Sequence, residues 1–290
     1  MSPDLISVPV DGNVSMAVQR YRSQSPDTSA TPVICIPGLT RNARDFSVIG
    51  ETIAASGRDV FAVSLRGRGA SDRDPDYLRY HPDQYVVDIQ AVLARLGIPA
   101  AVFLGTSLGG IVTMRLAETA PAKIHAAIIN DVGPDLAPEG LTRIGAMAAR
   151  AETGAVEGVP FKAAVEDTRA TNELAFPGRP STYWEAFAKR LYRQVGEDQW
   201  ELDYDRQIAR ALAELGPAPD LWPGWQALGA IPTLLIRGEL SDLLTSEIVD
   251  RMRAMSPAVH YTEVSNTGHA PMLDEPDAQE AILSFLSTIS

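Results

Sequence analysis

Short, uninterrupted apolar runs that end in turn residues constrain the fold of this chain more than any other feature. Residues 31–36 lead into Pro37-Gly38, and residues 60–65 lead into Arg66-Gly67-Arg68-Gly69. Residues 101–104 and 126–129 have the same character. A strand with one wet face alternates apolar and polar residues, whereas a continuous apolar run reads as a strand covered on both faces. Helical stretches at 82–96 and 108–120 separate these runs. The resulting β-α-β rhythm predicts an α/β fold, a doubly wound and mostly parallel sheet.

The rhythm breaks after Asn130-Asp131-Val132-Gly133-Pro134. From there to about residue 225 the chain reads as helical, with Gly and Pro interruptions and no convincing strand. All 4 tryptophans, Trp184, Trp200, Trp222 and Trp225, fall in this stretch. A strand at 232–236 restores the rhythm, another follows at 259–264, and a last helix spans 276–286. The expected organisation is a sheet domain of residues 1–133 and 226–290, with residues 134–225 inserted as a helical cap, or lid.

Bulk properties narrow the function. The formal net charge is −12, which argues against nucleic acid as a partner, because phosphate binding needs clustered Lys and Arg. The single cysteine, Cys35, lies in the apolar run Val33-Ile34-Cys35-Ile36 and is expected to be a small buried hydrophobe. The chain opens without a basic segment followed by an apolar one, so no signal peptide is expected. No apolar run reaches the roughly 18 residues of a membrane span, and a cytoplasmic location with no membrane partner is the expectation. No His/Asp/Glu cluster has ligand spacing, so neither metal nor cofactor is expected. Monomer and homodimer both remain open.

The chemistry concentrates at Gly105-Thr106-Ser107-Leu108-Gly109, between an apolar run and a helix. A G-x-S-x-G turn in that context lifts a serine hydroxyl clear of the sheet, with small residues required two positions to either side. A nucleophilic serine needs a general base, and the base needs an orienting carboxylate. Of the 4 histidines, His269 lies in a loop at the same sheet edge as the turn. His81 precedes a helix, and His125 and His260 stand at the entry ends of strands. Two carboxylates follow strands that open toward that edge, Asp242 and Asp131. The chain order Ser, Asp, His favours Asp242, with Asp131 the alternative and Glu239 a supporting or surface residue. The backbone N–H groups of Leu39 and Leu108 are candidates for the oxyanion hole. Arg41 is a candidate substrate contact, or a partner for an acidic lid residue.

Taken in order, Pro37-Gly38-Leu39-Thr40, Arg66-Gly67-Arg68-Gly69-Ala70-Ser71-Asp72, Gly105-Thr106-Ser107-Leu108-Gly109-Gly110, Asn130-Asp131-Val132-Gly133-Pro134, Gly238-Glu239-Leu240-Ser241-Asp242 and Gly268-His269-Ala270-Pro271 resemble the α/β-hydrolase superfamily. They are most similar to its capped carboxylesterases, lactonases and C–C hydrolases. The resemblance runs from about residue 30 to the C-terminus and implies a helical cap after the sixth strand. Pro37 departs from the His that many relatives carry before the oxyanion-loop glycine. Serine at 107 separates the chain from the branches that use an aspartate nucleophile.

The cap is rich in aromatics, and Tyr183, Trp184 and Phe187 have the spacing to share one helix face. Most such rings are expected to be cap core, with a few lining an apolar pocket over Ser107. Trp184 is a candidate substrate contact. The expected activity is cleavage of a carboxylic ester of a small to medium apolar or aromatic substrate through an acyl-enzyme. The alternatives are a C–C bond or enol-lactone hydrolase of aromatic degradation with the same triad, and a non-catalytic receptor on the same fold.

Overall fold

A computed structural model describes residues 3–11, 13–25, 30–153, 158–214 and 219–289, with the backbone alone at 148–153. Residues 154–157 and 215–218 of the expected cap, and the first two residues of the expected leaderless N-terminus, lie outside the described residues.

The strands in chain order are β1 (Asp4–Asp11), β2 (Val14–Tyr21), β3 (Val33–Ile36), β4 (Val60–Val63), β5 (Ala101–Thr106), β6 (Ile124–Asn130), β7 (Tyr192–Gly196), β8 (Gln199–Leu202), β9 (Thr233–Gly238) and β10 (His260–Val264). The helices are α1 (Ser47–Ala55), α2 (Pro82–Leu96), α3 (Leu108–Thr119), α4 (Pro138–Thr153), α5 (Phe161–Asn172), α6 (Ser181–Leu191), α7 (Gln207–Glu214), α8 (Trp222–Leu228), α9 (Ser246–Met255) and α10 (Pro276–Ser287). Eight strands form one sheet in the order β1-β2-β4-β3-β5-β6-β9-β10. From β4 to β10 every pairing is parallel, and β1 and β2 add antiparallel strands at one edge.

The apolar runs are uninterrupted because each strand feeds two cores. Val33, Cys35, Leu104 and Ile128 point toward α1 and α10, where Phe46 just before α1, Ile53, Ile282 and Phe285 meet them. Ile34, Ile36, Phe103 and Ile129 point the other way, toward Ile89, Val112, Trp225 and Met252 on α2, α3, α8 and α9. Truncating Leu104 or one of the buried isoleucines to Ala would cost about 2–5 kcal/mol. Cys35 is fully buried, and burial pushes its thiol far above the ordinary range, which leaves it chemically inert.

Two hairpins depart from the expected pattern. β1 and β2 pair antiparallel at the sheet edge, where β1 is largely exposed and lacks a buried strand's apolar run. Within the stretch expected to be helical, β7 and β8 form a separate two-stranded hairpin. β7 is mostly exposed and β8 mostly half-buried, so no apolar pattern marks them. The tryptophans also divide. Trp225 is buried, its indole N–H donating to the Met252 carbonyl at 3.0 Å, and α8 lies on α3 with Gly224 against Met114. Trp225 therefore belongs to the sheet's core. Among the described residues no helix is long and apolar enough to cross a membrane.

Candidate active site

Ser107 caps the passage from β5 to α3 with φ 52° and ψ −115°, a left-handed conformation that costs a non-glycine residue of order 1–3 kcal/mol. Its neighbours permit the bend. A side chain at Gly105 would overlap the Gly109 backbone, and one at Gly109 would overlap the Ile36 carbonyl. The Ser107 N–H donates to the Asn130 carbonyl at 3.0 Å, and its own carbonyl accepts from Gly110 N–H at 2.8 Å. The hydroxyl thus stands at the N-terminus of α3, where the backbone dipoles favour negative charge.

His269 reaches this hydroxyl from the loop between β10 and α10, with Nε2 2.9 Å from Oγ. Its Nδ1 lies 2.8 Å from Oδ2 of Asp131. Asp131 is fully buried; its Oδ1 accepts from Gly238 N–H and its Oδ2 from the Ser241 hydroxyl, each at 2.8 Å. These bonds fix the carboxylate and favour the tautomer with the proton on Nδ1, leaving Nε2 to accept.

The expected acid is corrected by this arrangement. Asp242 does not meet His269 Nδ1; its carboxylate takes the Arg143 guanidinium of α4 in a bidentate pair at 2.6 and 2.8 Å. The Arg143 hydrogen bonds hold its carboxyl below the usual range. The reason is strand order. β6 lies between β5 and β9, so the residue after β6 stands one strand from the nucleophile and the residues after β9 stand two. The β9 loop still contributes, through Gly238 and Ser241. Glu239 braces the following loop by accepting from Asn266 N–H at 2.7 Å.

The sequence reading missed Asn130. Its amide donates to Thr106 Oγ1 at 3.1 Å and to the Pro271 carbonyl at 2.9 Å, and its own carbonyl holds Ser107. One residue therefore ties the serine turn to the histidine loop, and only its place directly before Asp131 hinted at this. The remaining histidines stand apart: His81 caps α2 by accepting from Asp83 N–H, and His125 and His260 are exposed at strand starts.

Ser107 and His269 open into a cavity of about 580 Å³. Leu39, Phe176, Phe187 and Met272 line it, as do Arg41 and Arg143. Arg41 is held by Asp45 at 2.6 and 2.7 Å, not by an acidic residue of the 134–225 insertion, and it lies 4.5 Å from the Phe187 ring centre. Trp184 does not reach the wall. It is 1% exposed, packed in a separate cluster with Phe176, Phe187 and Met272 of the histidine loop, its ring stacked 6.2 Å from Phe187. The shared helix face of Tyr183, Trp184 and Phe187 is present, and Phe187 is its member on the cavity. Among the described residues no group of three His, Cys, Asp or Glu side chains is gathered to hold a metal.

The sequence profile of the alpha/beta hydrolase family matches residues 33–282. The 3-hydroxybutyrate-oligomer hydrolase of Cupriavidus necator is 33% identical over 275 residues, 90% of each chain. The sn-1-specific diacylglycerol lipase of Mus musculus is 26% identical over 271 residues, 92% of this chain and 84% of that one. The crystal structure of an alpha/beta hydrolase from Novosphingobium aromaticivorans superposes with a TM-score of 0.90 at 36% identity, over 99% of both chains. The chain belongs to the alpha/beta hydrolase family. It is a hydrolase.

Proposed function

We propose that this protein hydrolyses carboxylic esters through an acyl-enzyme on Ser107. The observation that carries the reading is the unbroken line from Ser107 Oγ to His269 to buried Asp131 at the wall of the cavity. Ser107 Oγ attacks the ester carbonyl while His269 Nε2 takes its proton, and Asp131 holds Nδ1–H and offsets the imidazolium charge. The N–H groups of Leu39 and Leu108 receive the oxyanion. His269 then passes the proton to the leaving alcohol, and a water activated by the same nitrogen releases the acid.

The apolar wall of Leu39, Phe176, Phe187 and Met272 suits a small to medium acyl group. The similarity to a 3-hydroxybutyrate-oligomer hydrolase supports short oligoesters of hydroxy acids as one such substrate. In this reading the inserted residues from 134 up to α8 act as the cap, supported by the cavity walls that α4, α5 and α6 supply, while α8 packs with the sheet domain. The test is hydrolysis of p-nitrophenyl butyrate and of 3-hydroxybutyrate dimer by wild type and Ser107→Ala. The variant is expected to lose on the order of 10⁶ in kcat. Equal turnover by both proteins overturns the reading. Cleavage of a ring-fission diketone but of neither ester would replace it with carbon–carbon hydrolysis.

A further inference from the structure

The loop after β4 sends a cation into the interior beside the oxyanion loop. Arg68 is 0% exposed, and its Nε–H donates to the Leu39 carbonyl at 2.8 Å. Nη1 donates to the Arg66 carbonyl and to the Tyr85 hydroxyl at 2.8 and 2.9 Å. The guanidinium carbon lies 4.9 Å from the centre of the Tyr85 ring, and Nη2 is buried without a hydrogen-bond partner. These partners are carbonyls, a hydroxyl and a ring. Arg66, two residues earlier, is bound instead by the carboxylates of Asp74 and Asp88. A buried guanidinium held mainly by neutral acceptors is an expensive way to fill space.

The cost falls where backbone orientation matters most. The Gly38 carbonyl accepts from Arg41 N–H at 3.2 Å, and in a trans peptide the following N–H, that of Leu39, points the opposite way. Arg68 fixes the next peptide through the Leu39 carbonyl, with a charge-assisted bond stronger than a neutral one. Both planes that flank the Leu39 Cα are therefore held. The loop that carries Arg68 is fixed in turn by the cap: Gly69 N–H donates to the Asp203 carbonyl at 2.9 Å and Asp205 N–H to the Gly67 carbonyl at 2.6 Å.

We propose that Arg68 is the positioning residue of the oxyanion hole, holding the Leu39 N–H where the carbonyl oxygen of the substrate becomes negative. This rests on the ester-hydrolase reading above. Arg68→Met keeps the stem and removes the donors. Its kcat for p-nitrophenyl butyrate is expected to fall about 10- to 100-fold with KM nearly unchanged, less than the loss of a whole oxyanion donor. The discriminating measurement is the rate ratio between that ester and its thionoester. Sulfur is a weak hydrogen-bond acceptor, so an ordered hole favours the oxygen ester and a disordered one loses the preference. A variant that merely contains less folded enzyme slows both substrates equally.

Tyr85→Phe, which removes one anchor of Arg68, should move the ratio the same way by a smaller factor, and it serves if Arg68→Met fails to fold. A ratio unchanged from wild type in the variants that fold overturns the inference while leaving the ester-hydrolase reading intact. Absence of ester turnover in wild type overturns both.

Discussion

At the scale of single residues, the site turns on which carboxylate faces His269. Asp131 and Asp242 both follow strands that end at the active edge, and chain order alone favours the later one. The structure places Asp131 at 2.8 Å from Nδ1 and Asp242 on Arg143. Asp131→Asn is expected to keep the fold and lower kcat by about 10⁴, because the amide stabilises the wrong imidazole tautomer. Asp242→Asn should change kcat less than tenfold. Steady-state kinetics of the two variants on one aryl ester checks both, and the reverse order would return the role to Asp242. Ser107 and His269 were legible from their local motifs, because a strained serine turn needs flanking glycines at fixed spacing. The acid was not, since either loop satisfies the pattern and only the neighbour relation of β5, β6 and β9 separates them.

At the scale of elements, legibility followed burial. The central strands and α2 were read close to their observed bounds, because a strand covered on both faces has no choice but apolar residues. β1 and the hairpin β7–β8 escaped because their exposed or half-buried residues impose no such pattern, and β2, though mostly buried, carries Ser15, Gln19 and Arg20 within its run. The polar contacts that tie the inserted helices to the sheet domain are likewise invisible in sequence. Arg143 of α4 grips Asp242, and the Gly268 N–H in the histidine loop donates to the Ala175 carbonyl at 2.6 Å. The Arg143–Asp242 pair has a pH signature. The Arg143 hydrogen bonds hold the folded-state pKa of Asp242 below the ordinary aspartate range, so the pair's stabilisation is complete above that range and is lost as pH falls through the lower folded value. With the side chains 33% and 34% exposed, solvent screening limits the pair to at most about 1 kcal/mol. The Tm of Asp242→Asn should therefore lie a few degrees or less below wild type at pH 7, with the gap closing below about pH 4. Thermal unfolding at a series of pH values reads this directly.

At the scale of the whole molecule, stability and catalysis draw on different buried charges. Arg66 is fully buried between Asp74 and Asp88, with Nε 2.6 Å from Asp88. Removing Asp88 leaves Nε and Nη2 of the buried guanidinium without acceptors, with Asp74 as the remaining carboxylate, so Asp88→Ala is expected to cost about 3–5 kcal/mol, measured by urea denaturation. Expression only as aggregate would agree with that figure, and a loss under 1 kcal/mol would refute it. The sheet domain also seals away its one thiol. Cys35 lies in the middle of β3 with both faces covered, so the native chain is silent toward maleimides without any substitution. Leu174, 91% exposed in the inserted segment beside the Ala175 contact, could be replaced by cysteine to give the molecule a single reachable label. The fold thus supplies a ready background for following the inserted segment by fluorescence or spin resonance during turnover.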